Sequence, residues 1–179
     1  MLELTIDEST FTQLVNIDPQ YDSLKISNQS DIQVDADALI EHLRQIRGID
    51  KVIKLTIDYN SSLKNLGVLC AFNNLKILYV CGQHIQSFDG IGWFDKDDYI
   101  KIQTHRNRRR DISQLSQATV KNIDLFVERA EDLSAVAGFK FLNTVDIYRS
   151  MEPNLAEWKD SFSKIFHLKA ANLRSYETQ

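Results

Sequence analysis

Residues 75–88, LKILYVCGQHIQSF, decide the fold of this chain. Leu78 and Val80 stand two apart, as neighbours on one face of a strand do, while Leu75 and Ile85 flank them at a corner's distance. Gln83 is the polar residue at the bend. The same alternating pair recurs along the chain, at Leu2/Leu4, Leu24/Ile26, Leu55/Ile57, Leu78/Val80, Ile100/Ile102, Ile123/Leu125, Val145/Ile147 and Leu168/Ala170. From Leu55 onward the steps are 23, 22, 23, 22 and 23 residues, after a first step of 22 and a second of 31. A period this steady implies stacked units, none of which buries its apolar face alone.

The figure L-x-x-L-x-L-x-x-N-x-L, with Gln83 in the asparagine place, resembles the leucine-rich repeat family, and the likeness is best from Val52 to Ile165. The resemblance implies an α/β solenoid of about seven to eight strand-helix units of about 22 residues, with a curved parallel sheet. It also implies protein binding on the concave face of that sheet. The chain departs from the family at the corners, where only Asn60, with Gln83 in the same role, matches its asparagine ladder.

The segments between the strands carry return elements. Ser9-Thr10 precedes Phe11, Leu14 and Val15 at helical spacing, which makes residues 1–20 an N-terminal cap. DADALIEHLRQIRG (35–48) places Leu39, Leu43 and Ile46 on one helical face, with Gly48 as its C-cap, and accounts for the 31-residue step. Leu66, Leu69 and Phe72 supply the third return helix. Gly90 and Gly92 make the fourth return irregular, with Trp93 and Phe94 buried. Leu133, Val136 and Phe139 or Phe141 serve the sixth unit. Leu155, Trp158, Phe162 and Ile165 form an amphipathic helix within a C-terminal cap at 150–179.

One domain spans 1–179, since six glycines and two prolines leave no flexible linker. A 43% hydrophobic and 26% charged composition is that of a soluble globular protein. The N-terminus MLELTIDEST is acidic and amphipathic rather than basic and then apolar, and no apolar run reaches the length of a membrane span. A cytoplasmic protein is expected, without a membrane partner. Cys70 and Cys81 have no metal or disulfide spacing, and no cofactor is expected. A net charge of −4 argues against nucleic acid and favours a basic partner.

Residues flanking each apolar pair face the opposite side of the sheet in three columns. One runs Lys54, Ile77, Tyr99, Asn122, Thr144, His167. The middle runs Lys25, Thr56, Tyr79, Lys101, Asp124, Asp146, Lys169. The third runs Ser27, Asp58, Cys81, Gln103, Phe126, Tyr148, Ala171. Aromatic residues ringed by charge have the composition of a protein interface. The candidate partner-binding residues are therefore Asp58, Tyr79, Tyr99, Lys101, Asp124, Phe126, Asp146 and Tyr148. Aromatic pairs also stabilise sheets without any partner.

The most basic run, His105–Arg110 (HRNRRR), offers guanidinium groups to a phospholigand or nucleic acid, or else balances Asp95–Asp98 as a solvated loop. None of the four histidines has a nucleophile or paired carboxylate at a recognisable spacing, so no catalytic residue is assigned. The leading expectation is a non-enzymatic protein-binding module, in its sharper form a bacterial immunity protein that occludes a basic toxin domain. The alternatives are the ligand-binding basic loop and a purely structural or oligomeric module.

Overall fold

The computed structural model describes residues 2–30, 33–93 and 99–103, and the backbone of three further strands at 122–126, 144–149 and 170–175. The eight strands are β1 (Leu2–Asp7), β2 (Tyr21–Ser27), β3 (Lys54–Ile57), β4 (Ile77–Val80), β5 (Tyr99–Gln103), β6 (Asn122–Phe126), β7 (Thr144–Arg149) and β8 (Ala170–Ser175). They form one sheet whose order follows the chain, and every neighbouring pair is parallel. One α-helix, α1 (Ala36–Gln45), lies among the described residues.

The apolar pairs run in register across the sheet. Leu24, Leu55, Leu78 and Ile100 are Cα partners in one row, and Ile26, Ile57, Val80 and Ile102 in the next. All eight are fully buried. Side chains alternate along a strand, so residues two apart share a face, and both apolar rows lie on the one face of the sheet that is covered. That cover comes from Leu39 and Leu43 of α1 and from Leu66, Val68, Leu69, Phe72, Phe88 and Ile91 of the return segments.

The period fails at both ends. Leu4 and Ile6, not Leu2 and Leu4, pair with Leu24 and Ile26. Leu2, Leu4 and Ile6 alternate continuously, and a slip of two residues keeps every side chain on its own face, so the pattern does not distinguish the two registers. At the other end Ala171 and Leu173 pair with Val145 and Ile147, in place of Leu168 and Ala170. That shift of three residues turns Ala171 to the apolar row and sets Ala170, Asn172 and Arg174 at the ends of the three polar columns. His167 and Lys169 leave the columns.

Among the described residues, only the long second step holds an α-helix. The Asp35 carboxylate accepts from the Asp37 and Ala38 N–H groups at 3.0 and 3.4 Å and caps α1. The helix ends with Ile46 as its C-cap, two residues before Gly48, whose φ of +86° starts a short 3₁₀ turn. The other described returns are 3₁₀ turns at Phe11–Gln13, Gly67–Ala71 and Ile91–Trp93, where helices were expected at the first two. A step of 22 or 23 residues must hold a strand, a corner and the way back; the 3₁₀ form advances about 2.0 Å per residue against 1.5 Å for α and covers the distance with fewer residues.

Gly90 joins two of these returns. Its φ is +94°, and a Cβ there would lie 2.5 Å from the Leu66 carbonyl oxygen. The neighbouring Leu66 N–H donates to the Asp89 carbonyl at 2.8 Å. Trp93, expected inside, is 65% exposed. The expected elements at 105–110, 133–141 and 155–165, and Phe94, lie outside the described residues.

The corners also differ from expectation. Asn60 is exposed and Gln83 half-buried, so neither forms a buried ladder. Buried Glu8, Asn28 and Ser61 occupy the corner interior instead. The Glu8 carboxylate accepts from the hydroxyls of Ser61 and Ser62, from the Ser62 N–H at 2.9 Å and from the Asn28 amide at 3.5 Å. One acidic side chain thus ties the first corner to the second and third.

Candidate functional site

The face opposite the core is a half-exposed band of polar and aromatic residues. On β3 and β4, Lys54, Thr56, Ile77 and Tyr79 alternate with fully buried residues. Tyr99 and Lys101 of β5 continue the band. Register places Lys101 beside Tyr79 on one side and Asp124 on the other, with Asp146 next in the same row. Phe126 lies between Gln103 and Tyr148 in the adjoining row. For Asp124, Phe126, Asp146 and Tyr148 the structure describes register positions on this face.

Tyr79 and Tyr99 come together. Their ring centroids are 5.9 Å apart at an interplanar angle of 73°, the edge-to-face arrangement that the ring quadrupole favours. The Lys54 ammonium sits 4.7 Å from the Tyr79 centroid, a cation–π contact worth about 0.5–1 kcal/mol when solvent-exposed. The same ammonium lies 3.5 Å from Glu3 Oε2. That oxygen also accepts from Thr56 Oγ1 at 3.2 Å and Ser23 Oγ at 3.4 Å. A continuous chain of contacts therefore runs from the edge strand to β5: Glu3, Lys54, Tyr79, Tyr99.

Asp58 belongs to a separate group. Its Oδ1 is 3.3 Å from the Lys25 ammonium, and its Oδ2 accepts from Ser27 Oγ at 3.0 Å. Both oxygens are taken by side chains of β2, so Asp58, just past β3, is a structural partner of Lys25 more than an open contact point. Of the eight candidate residues, Tyr79, Tyr99 and Lys101 are brought side by side, and Asp124 and Asp146 extend their row.

Glu3 escapes the sequence reading because the three columns drawn there leave out β1; the register sets it beside Ser23 and Lys54 in the first column. The alternation Glu3, Thr5, Asp7 is the signal that restores it. Glu8 has no such signal, since its partners Ser61 and Ser62 are 53 and 54 positions away.

His42 holds the second unit to the first: its Nε2 is 2.7 Å from the Leu14 carbonyl oxygen, and its ring stands edge-on to Phe11. Arg44 donates from Nη2 to Cys70 Sγ at 3.1 Å. Among the described residues, no group of three or more His, Cys, Asp or Glu side chains is arranged to hold a metal ion. No helix among them is long and apolar enough to cross a membrane. The basic run His105–Arg110 lies outside the described residues.

Comparisons with protein-family models, with curated proteins and with solved structures find no match to this chain.

Proposed function

We propose that the chain is a non-enzymatic protein-binding module, a divergent leucine-rich-repeat-type solenoid that uses the polar, aromatic face of its sheet, as a concave surface, to hold another protein. The observation that carries this reading is the Tyr79–Tyr99 pair, half-exposed and edge-to-face in the middle of that face. Tyrosine presents large area at a small entropic cost, and a few such anchors dominate the energy of an interface. Phe126 and Tyr148, two and three strands along from Tyr79, extend the aromatic content on the same face.

The charge pattern supports a partner of particular character. Asp124 and Asp146 are direct neighbours in the row that follows Lys101, and like charges opposite one another favour an incoming cation between them. With a net charge of −4 for the chain, this favours a basic partner and speeds its encounter. The narrower form of the proposal is that the partner is a basic toxin domain, and that the chain is a cytoplasmic immunity protein of a bacterium. The acidic balance and the aspartate-aromatic surface support it.

The test uses the tagged full chain to capture its partner from a lysate of its source cell. Tyr79→Ala, Asp124→Ala and Tyr148→Ala combined in one variant abolish capture while circular dichroism stays that of the wild type. Capture by that variant at the wild-type level rejects this face as the binding surface.

A further inference from the structure

A second surface lies at the edge of the sheet. β1 ends the strand order, and its burial differs from that of the inner strands. Leu4 is half-exposed although its row partners Leu24, Leu55, Leu78 and Ile100 are all fully buried. Leu2 is 54% exposed. The apolar layer beneath the sheet thus runs out to the edge without closing there. Proteins usually blunt such an edge with charges, lysine above all, with proline or with a bulged strand. LELTID has no lysine or proline, its two acids are engaged within the chain, Glu3 by Lys54 and Asp7 by Ser9, and the single irregularity gives its extra residue to β2.

The backbone polarity of this edge is fixed. Glu8 N–H donates to the Ser27 carbonyl at 2.8 Å, and the two-residue period of a parallel ladder then turns Leu4 and Ile6 toward β2 as well. The N–H and C=O groups of Glu3 and Thr5 therefore point outward, away from the sheet. The Asp7 carbonyl is already taken by the Thr10 N–H at 3.0 Å.

We infer that β1 pairs with β1 of a second copy of this chain, antiparallel about a two-fold axis. Two registers set both Glu3 and Thr5 opposite outward-pointing residues of the partner β1. Pairing Thr5 with Thr5 opposes Glu3 to Asp7 twice and draws on an occupied carbonyl. Pairing Glu3 with Thr5 avoids both, because each carboxylate meets a hydroxyl. It also sets Leu4 against Leu4 and Leu2 against Ile6 on the core side, continuing the apolar layer from one copy to the next. The contact is isologous and closes on itself, which gives a dimer and stops there. A single edge-to-edge pair buries little area, so the dimer is weak and concentration-dependent. This surface is separate from the aromatic face of the sheet, which stays open in the dimer.

Sedimentation velocity of the full chain across a wide concentration range is the test. The wild type shifts reversibly from monomer to dimer. Thr5→Pro removes an outward N–H that no strand of its own chain uses, in a position where an edge strand accepts proline. It weakens the dimer at least about tenfold, as loss of two symmetry-related hydrogen bonds requires. Leu2→Glu, on an exposed side chain, weakens it independently. Both variants keep the wild-type melting temperature. A monomer at every concentration overturns the inference, as does a dimer insensitive to both substitutions or assembly that grows beyond two copies.

Discussion

At the residue scale, the side chain that most needs its surroundings is Glu8. A carboxylate removed from water must be met by donors, and here two hydroxyls, a backbone N–H and an amide supply them without a cation. Glu8→Ala leaves those donors facing a void and is expected to cost about 2–4 kcal/mol in urea unfolding. Glu8→Gln fills the space but turns an amide N–H₂ toward donors, so its loss is smaller yet measurable in the same titration. Asp7, next along, behaves differently. The Ser9 N–H donating to its carboxylate holds Asp7 below the ordinary carboxylate range, aided by the Ser9 hydroxyl and the Gln29 N–H, while partial desolvation opposes them. A lowered folded-state value means that this stability is present above the ordinary carboxylate pKa and is lost as pH falls through the lowered one. Asp7→Asn should therefore flatten the acid limb of the stability curve and leave its slope near neutrality unchanged. Neither role is legible in MLELTIDEST, where Asp7 and Glu8 read as ordinary surface acids. What defines Glu8 is a corner assembled from residues 20 to 54 positions away, whereas Asp7 is held chiefly by Ser9, two positions along.

At the element scale, the strands are legible and the returns are not. Leu55/Ile57, Leu78/Val80 and Ile100/Ile102 announce their strands because a buried row demands an apolar residue at every second position. Leu78→Ala is expected to cost about 2–5 kcal/mol, the range for a large-to-small change in a packed core. Leu2→Ala, one strand-end away from that row, should stay within about 0.5 kcal/mol. The returns misread because helical spacing of apolar residues over one turn is shared by α and 3₁₀ segments. Gly67–Ala71 illustrates this: Leu66, Leu69 and Phe72 fit a helix, yet the 23-residue step leaves no room for one. The positive φ of Gly90, and the 2.5 Å that would separate a Cβ there from the Leu66 carbonyl oxygen, go with these tight returns. Gly90→Ala combines a left-handed backbone with a backbone clash, and thermal melting should register a loss of about 1–3 kcal/mol from the conformation alone.

At the scale of the whole molecule, the sheet separates two tasks by face. One face is a continuous apolar layer; the other carries ion pairs near the β1 edge and tyrosines toward the centre. The columns of the candidate site were readable because alternation fixes which residues share a face once two strands are in register. Their internal pairing was not readable. Asp58 looks like an open acid in sequence, and only the approach of Lys25 and Ser27 removes it from the surface available to a partner. Exposed pairs of this kind add at most about 1 kcal/mol each, so Asp58→Ala should alter partner capture far less than Tyr79→Ala.

The central claim, that the aromatic face holds a protein partner, is tested most directly by photo-crosslinking. A benzoylphenylalanine placed at Tyr79, at Tyr99 and, on the exposed side of α1, at Ala38 samples both sides of the molecule. The account predicts that positions 79 and 99 trap the same protein and that position 38 does not. Crosslinks from position 38 alone, or from none of the three while the wild type still captures its partner, would contradict it.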